Sequence, residues 1–113
     1  MEGDGVVPVY DQNESIDMSL DELRSDWKES IFRIAARRGA SRVRVFGSVA
    51  RGENDENSDI DFLVDLEPGR TLFDLSGLLA DLQALLHQPV DVVTEKGLRP
   101  KIRERVVGEA IAL

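Results

Sequence analysis

The chain reads as a small α+β domain, a mixed β-sheet with helices packed on it. Three observations predict this class. Helical and strand periodicities alternate in the order helix, strand, turn, strand, helix, strand, helix. The strand segments are short and rich in β-branched residues. With 113 residues, the chain is long enough to bury roughly two-thirds of its unfolded surface, so one core forms without staples. No internal repeat, low-complexity tract or linker interrupts residues 19–113, which are read as one domain.

Residues 1–18 are read as a flexible N-terminal extension. They are rich in Gly, Asp, Glu and Asn, and Val6, Val7, Val9 and Tyr10 follow no helical repeat. Ser19-Leu20-Asp21-Glu22 has the form of a capping box. Leu20, Leu23, Trp27, Ile31 and Ile34 then make one apolar stripe, with Trp27 in the core, and Arg37, Arg38 and Gly39 stop the helix. Arg42-Val43-Arg44-Val45-Phe46 is a strand with both arginines on its outer side. It runs into Gly47-Ser48, and Ser48 to Arg51 makes a single helical turn.

Gly52 to Asn57 is an acidic surface loop, and Ile60 to Leu66 is the second strand, ending before Pro68-Gly69. Thr71-Leu72-Phe73-Asp74 caps a helix whose stripe is Leu72, Leu75, Leu79, Leu82 and Leu86, widened by Leu78 and Leu85. His87 sits at its end in a surface or capping role, and Pro89 closes it. Val90 to Thr94 is a third strand interrupted by Asp91. Pro100 opens the last helix, with Ile102, Val106 and Ala110 spaced by four. Ile111-Ala112-Leu113 either extends that helix or adds a short edge strand.

Composition narrows the function classes. A formal net charge of −8 argues against general nucleic-acid binding. The absence of cysteine excludes disulfides and thiolate metal sites. No apolar run approaches the ~20 residues of a membrane span, and Met1 to Gly5 lacks the basic start of a signal peptide. A cytoplasmic location with no membrane partner is expected.

The chemistry concentrates at Asp59 and Asp61. Residues two apart on a strand share a face, so these carboxylates project together, opposite Ile60, Phe62, Val64 and Leu66. Side by side they repel unless neutralised, and Mg²⁺ favours carboxylate oxygens. Asp91 stands opposite Val90 and Val92, and it joins the pair if the third strand lies beside the second. Three such carboxylates suit one or two Mg²⁺ ions, which activate an attacking oxygen and clamp a leaving phosphate. Gly47 and Ser48 offer backbone N–H groups and a hydroxyl to the outer phosphates.

Other residues admit two readings. A lone Asp-x-Asp pair at a strand end is often simply solvated. Arg51 meets a phosphate or pairs with a neighbouring carboxylate. Asp65 shares the parity of Asp59 and Asp61 but lies further along. Lys96, Arg99, Lys101, Arg103 and Arg105 form either a solvated basic face or a contact for a triphosphate tail or an acidic partner.

Gly47-Ser48, ten intervening residues that include Ala50-Arg51-Gly52 and Ser58, then Asp59-x-Asp61 with Asp91 beyond, resemble the polymerase β-type nucleotidyltransferase superfamily. In detail the sequence resembles the minimal nucleotidyltransferases that are the antitoxin halves of HEPN–MNT toxin–antitoxin pairs, from about Leu20 to the C-terminus. The resemblance implies a polymerase β-like fold and transfer of AMP from ATP, with Mg²⁺, to a tyrosine hydroxyl of a partner HEPN ribonuclease toxin in a hetero-oligomer. It implies that Ser48 touches the triphosphate and that Asp59 and Asp61 bind both metals. Asp91 then binds one metal and helps deprotonate the acceptor. Larger relatives add a domain that reads the acceptor, and no such segment is evident here. Two rival readings are an antitoxin acting by occlusion and an adenylyltransferase acting on a small molecule such as an aminoglycoside.

Overall fold

The computed structural model describes residues 18–113. The expected extension therefore lies outside the described residues except at Met18, which is 1% exposed and belongs to the core rather than to a tail.

The first helical segment comprises α1 (Leu20–Glu22), a π-helical turn (Leu23–Trp27) and α2 (Lys28–Arg37). Ser19 Oγ accepts the Glu22 N–H at 3.1 Å, as the capping sequence predicts. The wide turn was not foreseen. It carries the step from Leu23 to Trp27, the first in a series of buried residues continued by Ile31 and Ala35. A regular helix of 3.6 residues per turn drifts against that spacing, and a wider turn lets Leu23 and Trp27 face the core together.

Among the described residues the strands are β1 (Ala40–Phe46), β2 (Ile60–Leu66), β3 (Val90–Val93) and β4 (Ile111–Ala112), in the spatial order β3-β2-β1-β4. β1 pairs antiparallel with β2 and with β4, and β2 pairs parallel with β3, so the sheet is mixed as expected. Between β1 and β2 lies the five-residue α3 (Gly47–Arg51), and α4 (Leu72–Leu86) carries the chain from β2 to the parallel β3. α5 (Pro100–Glu109) follows a 3-10 turn (Glu95–Gly97), with Pro100 in its first turn. Of the two readings of the C-terminus, the edge strand is the one observed.

The core joins Val45, Ile60, Phe62 and Val64 of the sheet to Leu23, Trp27, Ile31, Leu78, Leu82 and Leu86 of the helices. Pairs of α4 capping bonds run from Phe73 N–H to Thr71 Oγ1 (3.2 Å) and from Thr71 N–H to Asp74 Oδ2 (3.1 Å). His87 ends the helix in a left-handed conformation (φ 55°) and so has the expected capping role. Leu72 departs from the expected stripe: it and Phe73 are 76% and 88% exposed, because the cap rather than packing holds this first turn.

Arg44 corrects the expectation for β1. It is 6% exposed, and its guanidinium bridges Asp65 and Glu95, each at 3.2 Å. The face away from the main core is covered at this point. Glu95 opens the 3-10 turn, which Arg103 holds by donating to the Glu95 carbonyl at 2.7 Å. Arg42 stays exposed, with φ 50° at a register shift between Ser41 and Arg44.

Candidate active site

The site forms where β1 ends. Phe46 pairs with Asp61 across the sheet, and the chain then turns at Gly47 with φ +73°. A Cβ at Gly47 would collide with the Asp61 carboxylate. Glycine is therefore needed twice here, for the left-handed backbone and for the close approach. The turn opens directly into α3, with Ser48 in its first turn and Arg51 at its end.

A cleft of about 450 Å³ gathers Gly47, Ser48, Arg51, Asp59, Asp61, Arg105 and Glu109. Five of the six expected site residues thus line one cavity. Asp91, the sixth, is absent from the cleft wall, but it pairs with Asp61 in register across β2 and β3. Strand alternation puts both on the face opposite Ile60 and Phe62. Asp65 belongs elsewhere, since it serves Arg44 and Arg42. The basic cluster divides: Arg105 lines the cleft, whereas Arg103 is spent on the Glu95 and Leu98 carbonyls.

Asp61 is the electrostatic centre. Burial pushes its carboxyl up to about 6, and the neighbouring charges of Asp91, Asp59 and Glu109 push the same way, against a smaller effect of Arg51. Like charges gathered beside a desolvated carboxyl are what a hard cation compensates, and oxygen donors of this type fit Mg²⁺. As the side chains stand, no three acidic or imidazole groups among the described residues converge closely enough to hold an ion.

Glu109 was not anticipated. Its carboxylate accepts the Gly47 N–H at 2.8 Å and the Arg51 guanidinium at 3.0 Å. Burial would raise its carboxyl, but these two donors outweigh burial and hold it below the usual carboxylate range. Arg51 also donates to Glu53 at 2.9 Å, so of its two readings the carboxylate pairing is the one observed. The one signal in the sequence was that Arg105 and Glu109, four apart on a helix, share a face.

The nucleotidyltransferase domain model matches residues 19–113. The chain belongs to the nucleotidyltransferase domain family. Members carry out nucleotidyl transfer, and this nucleotidyltransferase is an enzyme of that type. It is 35% identical over 94 residues to a protein of Thermococcus cleftensis named protein adenylyltransferase MntA, covering 83% of this chain and 95% of that protein. A solved structure provisionally described as a minimal nucleotidyltransferase is 53% identical, with a TM-score of 0.75 over 85% of this chain and 97% of that one. A crystal structure of a toxin–antitoxin with AMP-PNP has a TM-score of 0.66 at 22% identity, covering 76% of this nucleotidyltransferase and 71% of that chain. That last likeness speaks to the fold. The expected α+β fold and nucleotidyltransferase membership are thus both found. Among the described residues no helix is long and apolar enough to cross a membrane.

Proposed function

We propose that this nucleotidyltransferase is a Mg²⁺-dependent protein adenylyltransferase that moves AMP from ATP to a tyrosine hydroxyl of a partner HEPN toxin, and so acts as its antitoxin. The observation that carries this reading is the shared cleft of Gly47, Ser48, Asp59 and Asp61, with Asp91 on the next strand. The Thermococcus cleftensis relative, named a protein adenylyltransferase, supports a protein acceptor. A fold shared with a toxin–antitoxin that carries AMP-PNP agrees with a toxin partner and a nucleotide donor.

On this reading the Gly47 N–H, Ser48 hydroxyl and Arg51 guanidinium bind the outer phosphates of ATP. Asp59, Asp61 and Asp91 would hold the metal. Mg²⁺ would supply charge neutralisation on the phosphates and a more acidic acceptor hydroxyl. Asp91 takes the proton of the tyrosine hydroxyl. The tyrosine oxygen bonds to the α-phosphorus, the bond from that phosphorus to the β-phosphate oxygen breaks, and pyrophosphate leaves. The cleft is open to solvent, which leaves room for a protein acceptor.

The test is label transfer. With labelled ATP, Mg²⁺ and the candidate toxin, AMP should reach the toxin, and a tyrosine-to-phenylalanine toxin variant should stay unlabelled. Equal labelling by an Asp59→Asn, Asp61→Asn double variant would refute the reading.

A further inference from the structure

We propose that Glu109 is a built-in occupant of the phosphate end of the cleft, which an incoming triphosphate must displace. The inference rests on the nucleotidyl-transfer reading of the cleft. It starts from two contacts: the Glu109 carboxylate engages the Gly47 N–H at 2.8 Å and the Arg51 guanidinium at 3.0 Å. Those are two of the three groups assigned above to the outer phosphates. A carboxylate is an oxyanion that accepts from the same donors, and charge-assisted bonds of this kind are among the stronger ones. Phosphate and Glu109 cannot both hold the Gly47 N–H.

The backbone around Glu109 is pinned, so the exchange is a side-chain movement. Ala110 N–H donates to the Val106 carbonyl at 2.9 Å, and Leu113 N–H donates to the Val43 carbonyl at 3.1 Å. Ile111 and Ala112 pair with Val45 and Arg44 of β1. Glu109 therefore hangs between the end of α5 and a strand fixed to the sheet, and its side chain alone has freedom to swing. Its own side chain is 23% exposed, so a path towards solvent is open. When it leaves, Arg51 is released from one of its two carboxylates, and Arg105, one helical turn back, remains in the cleft wall.

The consequence is a filter on charge. A triphosphate brings enough negative charge to take the donors from a carboxylate, whereas AMP lacks the outer phosphates that compete for them. Apparent affinity for a triphosphate is reduced by the fraction of molecules in which Glu109 holds the donors.

The experiment is calorimetric titration of wild type, Glu109→Gln and Glu109→Ala with three probes in Mg²⁺: AMP-PNP, inorganic tripolyphosphate and AMP. Circular dichroism checks the fold of each variant, and the milder Gln variant carries the test if the Ala variant is impaired. AMP-PNP and tripolyphosphate should bind about tenfold tighter to Glu109→Ala, with a smaller gain for Glu109→Gln, and AMP binding should change less than about twofold. The Gly47 amide proton resonance should also move in both variants before any ligand is added. Unchanged or weaker AMP-PNP binding in both folded variants overturns the proposal, because Glu109 would then support the site rather than compete for it. If tripolyphosphate gains affinity but AMP-PNP binds no variant, the donors are an anion site guarded by Glu109 and the nucleotidyl-transfer reading is the part that fails. If neither probe binds any variant, both fall.

Discussion

Asp61 and Asp91 occupy the same rung of neighbouring parallel strands, and burial, with the charge of Asp91 next, holds the Asp61 carboxyl up at about 6. The ordinary value for an Asp side chain, taken for the unfolded chain, is 3.8. The fold therefore favours its protonated form. The contribution of Asp61 to stability is full below the unfolded value and is lost as pH rises through about 6. In metal-free protein, Asp61→Asn should be more stable than wild type near neutral pH, by on the order of 1–2 kcal/mol after allowing for solvent screening at a half-buried group. The difference should vanish near the unfolded pKa of an Asp. Urea denaturation in a chelator across that pH range measures it, and a constant or reversed difference contradicts it.

Added Mg²⁺ should reverse that order. A cation between the carboxylates turns their repulsion into binding energy, so wild type should gain thermal stability with Mg²⁺ while the Asp59→Asn, Asp61→Asn double variant should not. At an ion concentration a hundredfold above the dissociation constant the gain is about 2.7 kcal/mol. Binding should weaken as pH falls through about 6, where Asp61 takes up a proton. Calorimetry in buffers of different ionisation enthalpy would detect the released proton, and pH-independent affinity would count against Asp61 as a ligand.

Gly47→Ala should damage both fold and chemistry. A left-handed non-glycine residue costs about 1–2 kcal/mol, and the new methyl would push the Asp61 carboxylate out of place. Displacement of a reacting group by about 1 Å can cost about 100-fold in rate. Nucleotidyl transfer should therefore fall by about that factor while the protein stays folded. Activity within about twofold of wild type would show that Asp61 is not positioned by this turn.

Arg44→Met should cost stability and spare the chemistry. The Arg44 side chain is 7% exposed and joins Asp65 and Glu95, and none of the three lines the cleft. Removing it leaves Asp65 and Glu95 only the longer contacts to the exposed Arg42, at 3.7 and 4.0 Å, which should cost about 1–3 kcal/mol. AMP-PNP affinity should remain unchanged at temperatures where the variant is folded. A stability loss confined to the error of a melting curve would mean that the bridge contributes little.

The parts of the site that were legible in the sequence are those set by local geometry. Period-two alternation was enough to put Asp61 opposite Ile60 and Phe62; Asp91 joins it because β3 pairs with β2, and Asp59 lines the cleft from just before β2. Gly47 could be singled out because a strand running into Gly-Ser must turn there. Glu109 escaped because the contact that matters joins it to Gly47, 62 positions away. Nothing local marks a helix-end glutamate as a phosphate mimic. Arg44 was misjudged for a related reason: alternation correctly put it opposite the core, but the turn that covers that face arrives 51 residues later. The π-helical turn and the exposed Leu72 show a further limit. A stripe can be read from spacing, but where packing stops or widens depends on what the stripe meets.

The strand order has one more consequence. Among the described residues β3 is an edge strand, and Val90, Val92 and Val93 make it a short, apolar, β-prone segment with no strand on its outer side. Such edges invite strands from other molecules, and natural sheets discourage this with a charge at the rim. The exposed Asp91 is that charge. Its carboxylate thus puts a charge on that rim as well as beside Asp61. Replacing it with valine to abolish activity would also leave a sticky rim, so loss of function in such a variant would need to be separated from simple aggregation.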